Sequence, residues 1–150
     1  FAGTFDPPTF GHLEMMGRAS KLFSTLYVAI GENSQKTQCM LTLQERLDVL
    51  TQLTAPMRNV KVVAFTGLVV DYAKQQKIDI LVRGLRGPDD IAYESAMAAA
   101  NRKMSGIETL FLMASGEQAH LSSSLIREIG ASGQHLELFV PNEVATLLYR

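Results

Sequence analysis

Gly3-Thr4-Phe5-Asp6-Pro7-Pro8-Thr9-Phe10-Gly11-His12 stands between a short apolar start, Phe1 and Ala2, and a segment in which Leu13, Met16, Ser20 and Phe23 recur at helical spacing. The stretch reads as the loop of a strand–loop–helix unit, with the helix over about 11–23. Gly3 permits a tight turn, and Gly11 lets a ligand approach the backbone where a Cβ would obstruct it. In an open parallel sheet, ligands collect beyond the carboxyl ends of the strands. A helix N-terminus there offers unpaired amides and the positive end of its dipole to a phosphate. His12 falls on the first helical turn, placed to donate to a phosphoryl oxygen that gains charge in a transition state. Two residues of this kind on their own would mean no more than a proline-rich loop with a helix cap.

Outward from this loop, short β-branched or apolar runs alternate with amphipathic segments. Strands are expected at 1–2, 26–30, 60–65, 80–82 and 109–113. Thr42 and Glu45 form a capping box ahead of a helix carrying Leu43, Leu47 and Leu50, a third helix covers 68–76, and a fourth starts at Pro88 and runs to 103. Two more follow Ser122 and Pro141. The pattern predicts an α/β fold: one doubly wound, Rossmann-like domain over residues 1–150, with a parallel sheet of about five strands flanked by helices. Because Phe1 leads at once into the glycine turn, part of the first strand is expected to precede it.

The 150 residues, 47% apolar, supply one core. A net charge of -1 gives no overall attraction to nucleic acid, so any anion site must be local. Cys39 is the one cysteine, which excludes an intrachain disulfide and a cysteine-based zinc site and suits a reducing compartment. No apolar run approaches the roughly 20 residues of a membrane span, and no secretory-type leader is seen. A soluble, cytoplasmic protein without membrane or nucleic-acid partners is expected.

The ten-residue string resembles the nucleotidyltransferase superfamily, whose members carry a Gly-His pair on this turn, most often as His-x-Gly-His. Thr9 stands where the first histidine would be. A TxGH form preceded by GTFDP is similar to the phosphopantetheine adenylyltransferase branch, whereas cytidylyltransferases and nicotinamide mononucleotide adenylyltransferases usually keep both histidines. Three further segments agree in order and spacing. Val82-Arg83-Gly84-Leu85-Arg86 puts two guanidinium forks, able to grip phosphate oxygens in pairs, at the carboxyl edge of the fourth strand. Leu121-Ser122-Ser123-Ser124-Leu125-Ile126-Arg127 is similar to the branch's ISSSxxR signature, with hydroxyls and amides opening a helix. Tyr93 and Glu94, then Asn101 and Arg102, match the branch near the adenosine and the pantetheine arm. Where the branch commonly has an aromatic residue and then Ile before the serines, this chain has His120 and Leu121. His120 and His135 read as ordinary histidines, and Met15, Met16, Met97 and Met113 as gap-fillers.

What the resemblance implies is transfer of AMP from ATP to the phosphate of 4′-phosphopantetheine, giving dephospho-coenzyme A and pyrophosphate by direct in-line attack. It implies catalytic roles for His12, Lys36 and Arg86. Thr4, Phe5, Gly11, His12, Gly84, Arg86, Glu94, Ser122, Ser123 and Ser124 would hold the nucleotide. Thr4, Lys36, Val69, Arg83 and Asn101 would hold the acceptor, although Val69 and its neighbour Leu68 read equally well as core. Mg²⁺ is expected to arrive with ATP, held by phosphates and water, since no carboxylate cluster looks like a dedicated cage. A homohexamer is implied as well. A nucleotidyltransferase with another phosphorylated acceptor, or a catalytically silent nucleotide or coenzyme A sensor, stays open at this level.

Overall fold

The computed structural model describes residues 1–32, 39–131 and 135–150; Lys36 lies outside the described residues. Along the chain run β1 (Ala2–Gly3), α1 (Phe10–Ser20), β2 (Leu26–Glu32), α2 (Leu43–Thr54), β3 (Val60–Thr66), α3 (Val69–Gln75), β4 (Ile80–Leu85), α4 (Pro88–Ser105), β5 (Glu108–Met113), α5 (Ser123–Gly130), a 3₁₀ turn (Leu136–Leu138) and α6 (Asn142–Leu148). All strand pairs are parallel, β1 with β2, β2 with β3, and β4 with β5.

The period-two alternation of β2 sorts its side chains to two faces. Leu26, Val28 and Ile30 join Met16 and Ala19 of α1, Leu50 of α2, Val82 and Phe5 in one cluster. On the other face, Val70 and Ala73 of α3 pack with Leu81 and Ile107. Helices thus cover both sides, as the doubly wound reading requires. A third cluster, of Val49, Ile126, Leu136, Val140, Val144 and Ala145, ties α5, α6 and the 3₁₀ turn to α2.

Three expectations are corrected. The five strands form a three-stranded and a two-stranded sheet instead of one. Phe1 O accepts from Ala29 N at 2.9 Å, so the next carbonyl, that of Ala2, faces away from β2. It is taken at 2.7 Å by the Arg83 guanidinium, where a strand amide would continue the sheet. The first helix ends at Ser20, not at 23, because Asn59 Nδ2 reaches the carbonyls of Ser20 (2.7 Å) and Phe23 (2.8 Å) and turns the chain into β2. Finally, β4 extends through Leu85, since Arg83, Gly84 and Leu85 pair in register with Phe111, Leu112 and Met113. Arg83 is therefore a strand residue held by a ladder.

One helix departs from the usual pattern of burial. Along the 18 residues of α4 only Glu94 is buried, while Ile91, Tyr93, Met97 and Met104 are exposed. Ala96, Ala99 and Ala100 are exposed too.

Candidate active site

The β1–α1 loop is fixed from several sides. Phe5 adopts φ 49°, a left-handed conformation uncommon for a bulky residue, and its ring is buried at 2% exposure. A Cβ on Gly3 would lie 3.0 Å from that ring, so a side chain there would displace it. Asp6 is buried, and its carboxylate accepts from the amides of Met40 (3.0 Å) and Leu41 (2.9 Å). Arg46 of α2, also buried, donates to the carbonyls of Thr4 (2.8 Å) and Thr42 (3.3 Å). From the other side Ser123 Oγ donates to Pro7 O at 2.9 Å and Arg127 Nη1 to Asp6 O at 2.7 Å. Such over-determination is what lets a strained backbone persist at a site.

Thr9 caps α1 with a box whose reciprocal partner is His12: the His12 amide donates to Thr9 Oγ1 at 3.3 Å, and Thr9 N–H donates to His12 Nδ1 at 3.1 Å. Since Nδ1 accepts, the ring proton sits on Nε2, the nitrogen left to face the cleft. The Phe5 ring meets the imidazole edge-on at 5.1 Å between centroids. Burial, followed by the positive charges of Arg86 and Arg83, lowers the His12 pKa to about 4. At neutral pH His12 is therefore a neutral donor with a fixed tautomer.

Arg83 and Arg86 differ in their surroundings. Arg83 forms a two-pronged pair with the buried Glu94, Nε to Oε2 at 2.9 Å and Nη2 to Oε1 at 2.7 Å, while Nη1 holds Ala2 O. Its hydrogen bonds to Glu94 hold its pKa above the usual value. Arg86, at the rim just before α4, also forks onto a carboxylate, Nε to Asp90 Oδ2 and Nη2 to Asp90 Oδ1, both at 3.2 Å. Burial alone would raise the Asp90 pKa, but hydrogen bonds from Arg86 outweigh it and hold the carboxyl below its usual range. At the opposite wall, Ser122 caps α5 by accepting from Leu125 N at 3.1 Å, and Ser124 Oγ accepts from Arg127 Nη2 at 2.8 Å.

These groups surround a cleft of ≈ 680 Å³. Thr4, Phe5, Gly11, His12, Arg83, Gly84, Arg86, Glu94, Ser122, Ser123 and Ser124 all line it. A second cleft of ≈ 530 Å³ opens on the far side of Arg83 and Glu94 and is lined by Thr4, Val69 and Asn101 with Phe65, Met97 and Ala98. The two share the wall formed by Ala2, Gly3, Thr4, Arg83, Tyr93 and Glu94. Among the described residues no three His, Cys, Asp or Glu side chains gather as a metal cage, and the cleft carboxylates Glu94 and Asp90 each face an arginine.

Sequence reading passed over three supporting residues. Arg46 has a signal, since it falls on the apolar side of α2 beside Val49 and Leu50, where an arginine needs a reason. Asp6 has none, because its partners are backbone amides that only the fold brings near, and the backbone of Thr9 is engaged by His12, which the loop reading took as a ligand group and not as a cap partner.

Residues 1–129 match the family described as cytidylyltransferase-like. Two curated relatives, each a phosphopantetheine adenylyltransferase of Actinobacillus pleuropneumoniae (serotype 3 strain JL03 and serotype 7 strain AP76), are 45% identical over 149 residues, 99% of this chain and 94% of theirs. Among solved structures, a Plasmodium falciparum nicotinic acid mononucleotide adenylyltransferase complexed with NaAD superposes with TM-score 0.73 at 12% identity, covering 98% of this chain and 91% of that one. A lipopolysaccharide core biosynthesis protein from Thermoplasma volcanium GSS1 gives TM-score 0.54 at 21% identity, over 76% of this chain and 92% of the other. At those identities the structures speak for the fold alone.

Proposed function

Since the chain belongs to the phosphopantetheine adenylyltransferase family, within the cytidylyltransferase-like proteins, we infer that it transfers AMP from ATP to the phosphate of 4′-phosphopantetheine, releasing pyrophosphate and dephospho-coenzyme A. The observation that carries this reading is the pair of clefts meeting at one wall, where Arg83 is held by Glu94. One is rich in groups able to bind phosphate, and the other mixes apolar side chains, Phe65, Val69, Met97 and Ala98 among them, with polar ones such as Asn101 and Thr109 and the carboxylate of Glu32. A nucleotide in the first and a phosphorylated, largely uncharged arm in the second would bring two phosphates together at Thr4 and Arg83.

A phosphate oxygen of the acceptor attacks the α-phosphorus of ATP. A new P–O bond forms as the bond to the β-phosphate oxygen breaks, and the pair of electrons leaves with pyrophosphate. No general base is required, because a phosphate monoester, with its second pKa near about 6, already carries a lone pair to share. Catalysis is then positioning and stabilisation of charge. His12 donates its Nε2 proton as a hydrogen bond to the transferring group without giving it up, as its neutral, fixed tautomer allows. Arg86, and Lys36 by family resemblance, hold the transferring and leaving phosphates, while Arg83 and Thr4 orient the incoming one. Glu94 keeps the Arg83 fork in one plane.

Mg²⁺ would enter with ATP, coordinated by phosphate oxygens and water, since Glu94 and Asp90 are committed to arginines; bound so, it would neutralise charge on the leaving pyrophosphate. The exposed apolar side chains of α4 support a homo-oligomer, a hexamer by family resemblance. No helix among the described residues is long and apolar enough to cross a membrane. With the exposed Cys39 thiol this supports a cytoplasmic site.

The test is a pyrophosphate-release assay with ATP and Mg²⁺ against a panel of phosphorylated acceptors. Turnover with 4′-phosphopantetheine is expected; turnover confined to nicotinamide mononucleotide, or to glycerol phosphate with CTP, would overturn the reading.

A further inference from the structure

Among the described residues Arg46 of α2 is the only arginine or lysine that is buried, and it lines neither cleft. No carboxylate pairs with it there either. Its Nη1 donates to Thr4 O at 2.8 Å and its Nε to Thr42 O at 3.3 Å, both neutral carbonyls. A cation is unfavourable to bury without an anionic partner, and a neutral donor could make the same two bonds. The charge of Arg46 is thus left unexplained by packing, and one of its two contacts is a residue that borders both clefts.

The contact at Thr4 has a geometric consequence. A trans peptide carries its C=O and the following N–H on opposite sides, and the bond from Thr4 to Phe5 is trans. Holding Thr4 O therefore turns the Phe5 N–H away from the guanidinium. β1 pairs with β2 no further than Gly3, and the Phe5 N–H has no partner among the described residues. Phe5 next adopts its left-handed φ of 49°, which persists only where the neighbouring backbone is held. The hold on Thr4 O also fixes the backbone that presents the Thr4 hydroxyl. Arg127 and Ser123 take the carbonyls of Asp6 and Pro7, but those two side chains line the larger cleft themselves. Arg46 touches the site through Thr4 O.

Resting on the adenylyl-transfer reading, we propose that Arg46 is a positioning residue for phosphoryl transfer, setting the Thr4–Phe5 peptide so that the donors on either side of it are in place for phosphate. Small errors of placement matter in such a reaction: about 1 Å, introduced by a change remote from the chemistry, can lower the rate on the order of 10²-fold.

The experiment follows pyrophosphate release from ATP and Mg²⁺ with 4′-phosphopantetheine, each variant being kept well below its melting temperature so that rates refer to folded enzyme. Arg46→Met, unbranched and apolar, should lower kcat roughly 10- to 100-fold and move either KM by less than about threefold. Arg46→Lys keeps a charged donor and should recover most of that kcat, whatever its melting temperature. Arg46→Gln replaces the methionine variant should that one not fold, with the same expectation. A lower melting temperature with kcat per folded molecule unchanged, or a raised KM alone, overturns the proposal and leaves adenylyl transfer standing. A lysine variant as slow as the neutral one does so too. A wild type that releases no pyrophosphate overturns adenylyl transfer itself, and this role with it.

Discussion

Arg83 and Arg86 stand three residues apart at the end of one strand, yet the molecule treats them differently. Arg83, the inner one, is locked by buried Glu94 and the Ala2 carbonyl into the wall that both clefts share. Arg86 lies at the rim, just before α4, where its side chain is 47% exposed against 38% for Arg83 and forks onto Asp90 of the helix's first turn. The same charged group is thus a pre-set structural element in one place and an adjustable surface contact in the other. Position relative to Ala2 and Glu94 decides the difference: both arginines fork onto a carboxylate, but that of Glu94 is buried and Arg83 also holds a strand carbonyl, which restricts its guanidinium further.

The largest effect is expected at the group both arginines act upon. His12→Ala should keep the fold and lower kcat by on the order of 10²- to 10³-fold, the usual loss for one preorganised donor to developing charge. A changed KM with near-normal kcat would make His12 a binding residue or cap.

The inner arginine comes next. Arg83→Ala should weaken 4′-phosphopantetheine about ten- to a hundredfold in calorimetry while ATP affinity changes much less, and unphosphorylated pantetheine should hardly respond. Because the change strands Glu94, a stability loss of about 1–3 kcal/mol should accompany it in denaturant melts. The double change Arg83→Ala with Glu94→Gln should recover part of that stability without recovering affinity. Loss of ATP binding with the acceptor intact would reverse the two arginines' roles.

Arg86→Ala should weaken ATP about tenfold or more, yet change stability by no more than about 1 kcal/mol, the range of an exposed ion pair. A stability loss as large as that of Arg83→Ala would erase the distinction between wall and rim.

The last effect is one of pH. His12 has a folded pKa of about 4, below the roughly 6.5 of an unfolded histidine, so the unfolded chain binds the proton more readily in between. Its contribution to stability is complete above about 6.5 and is lost as pH falls toward about 4. Thermal melts of wild type against His12→Gln across that window should converge as pH falls. Parallel curves would mean that the arginines and burial do not hold the imidazole neutral.

Much of the cleft was legible in the chain because its groups lie close together in sequence. His12 follows the glycine loop, the arginines bracket Gly84, and the serines open α5. Motifs of this kind are local, and each brings its own helix N-terminus or strand end. What the chain did not disclose is that the hydroxyls and guanidinium groups are already engaged, Ser123 with Pro7 O and Arg83 with Glu94 and Ala2 O, across 116, 11 and 81 residues. Nothing in local composition records such partners.

By itself, the sequence determined the alternation of strands and helices, the caps at Thr42 and Ser122, and the identity of charged and hydroxyl groups that line the larger cleft, since these follow from hydrophobic period and from side chains acting within a few residues. Only the tertiary structure decided that β1 and β4 meet through a guanidinium instead of a ladder, that Arg46 and Asp6 lace α2 and the segment before it to the β1–α1 loop, and that α4 leaves its apolar side chains exposed. Those outcomes depend on which backbone carbonyls and buried charges come within hydrogen-bond reach across the packed core, a condition that no stretch of sequence can satisfy alone.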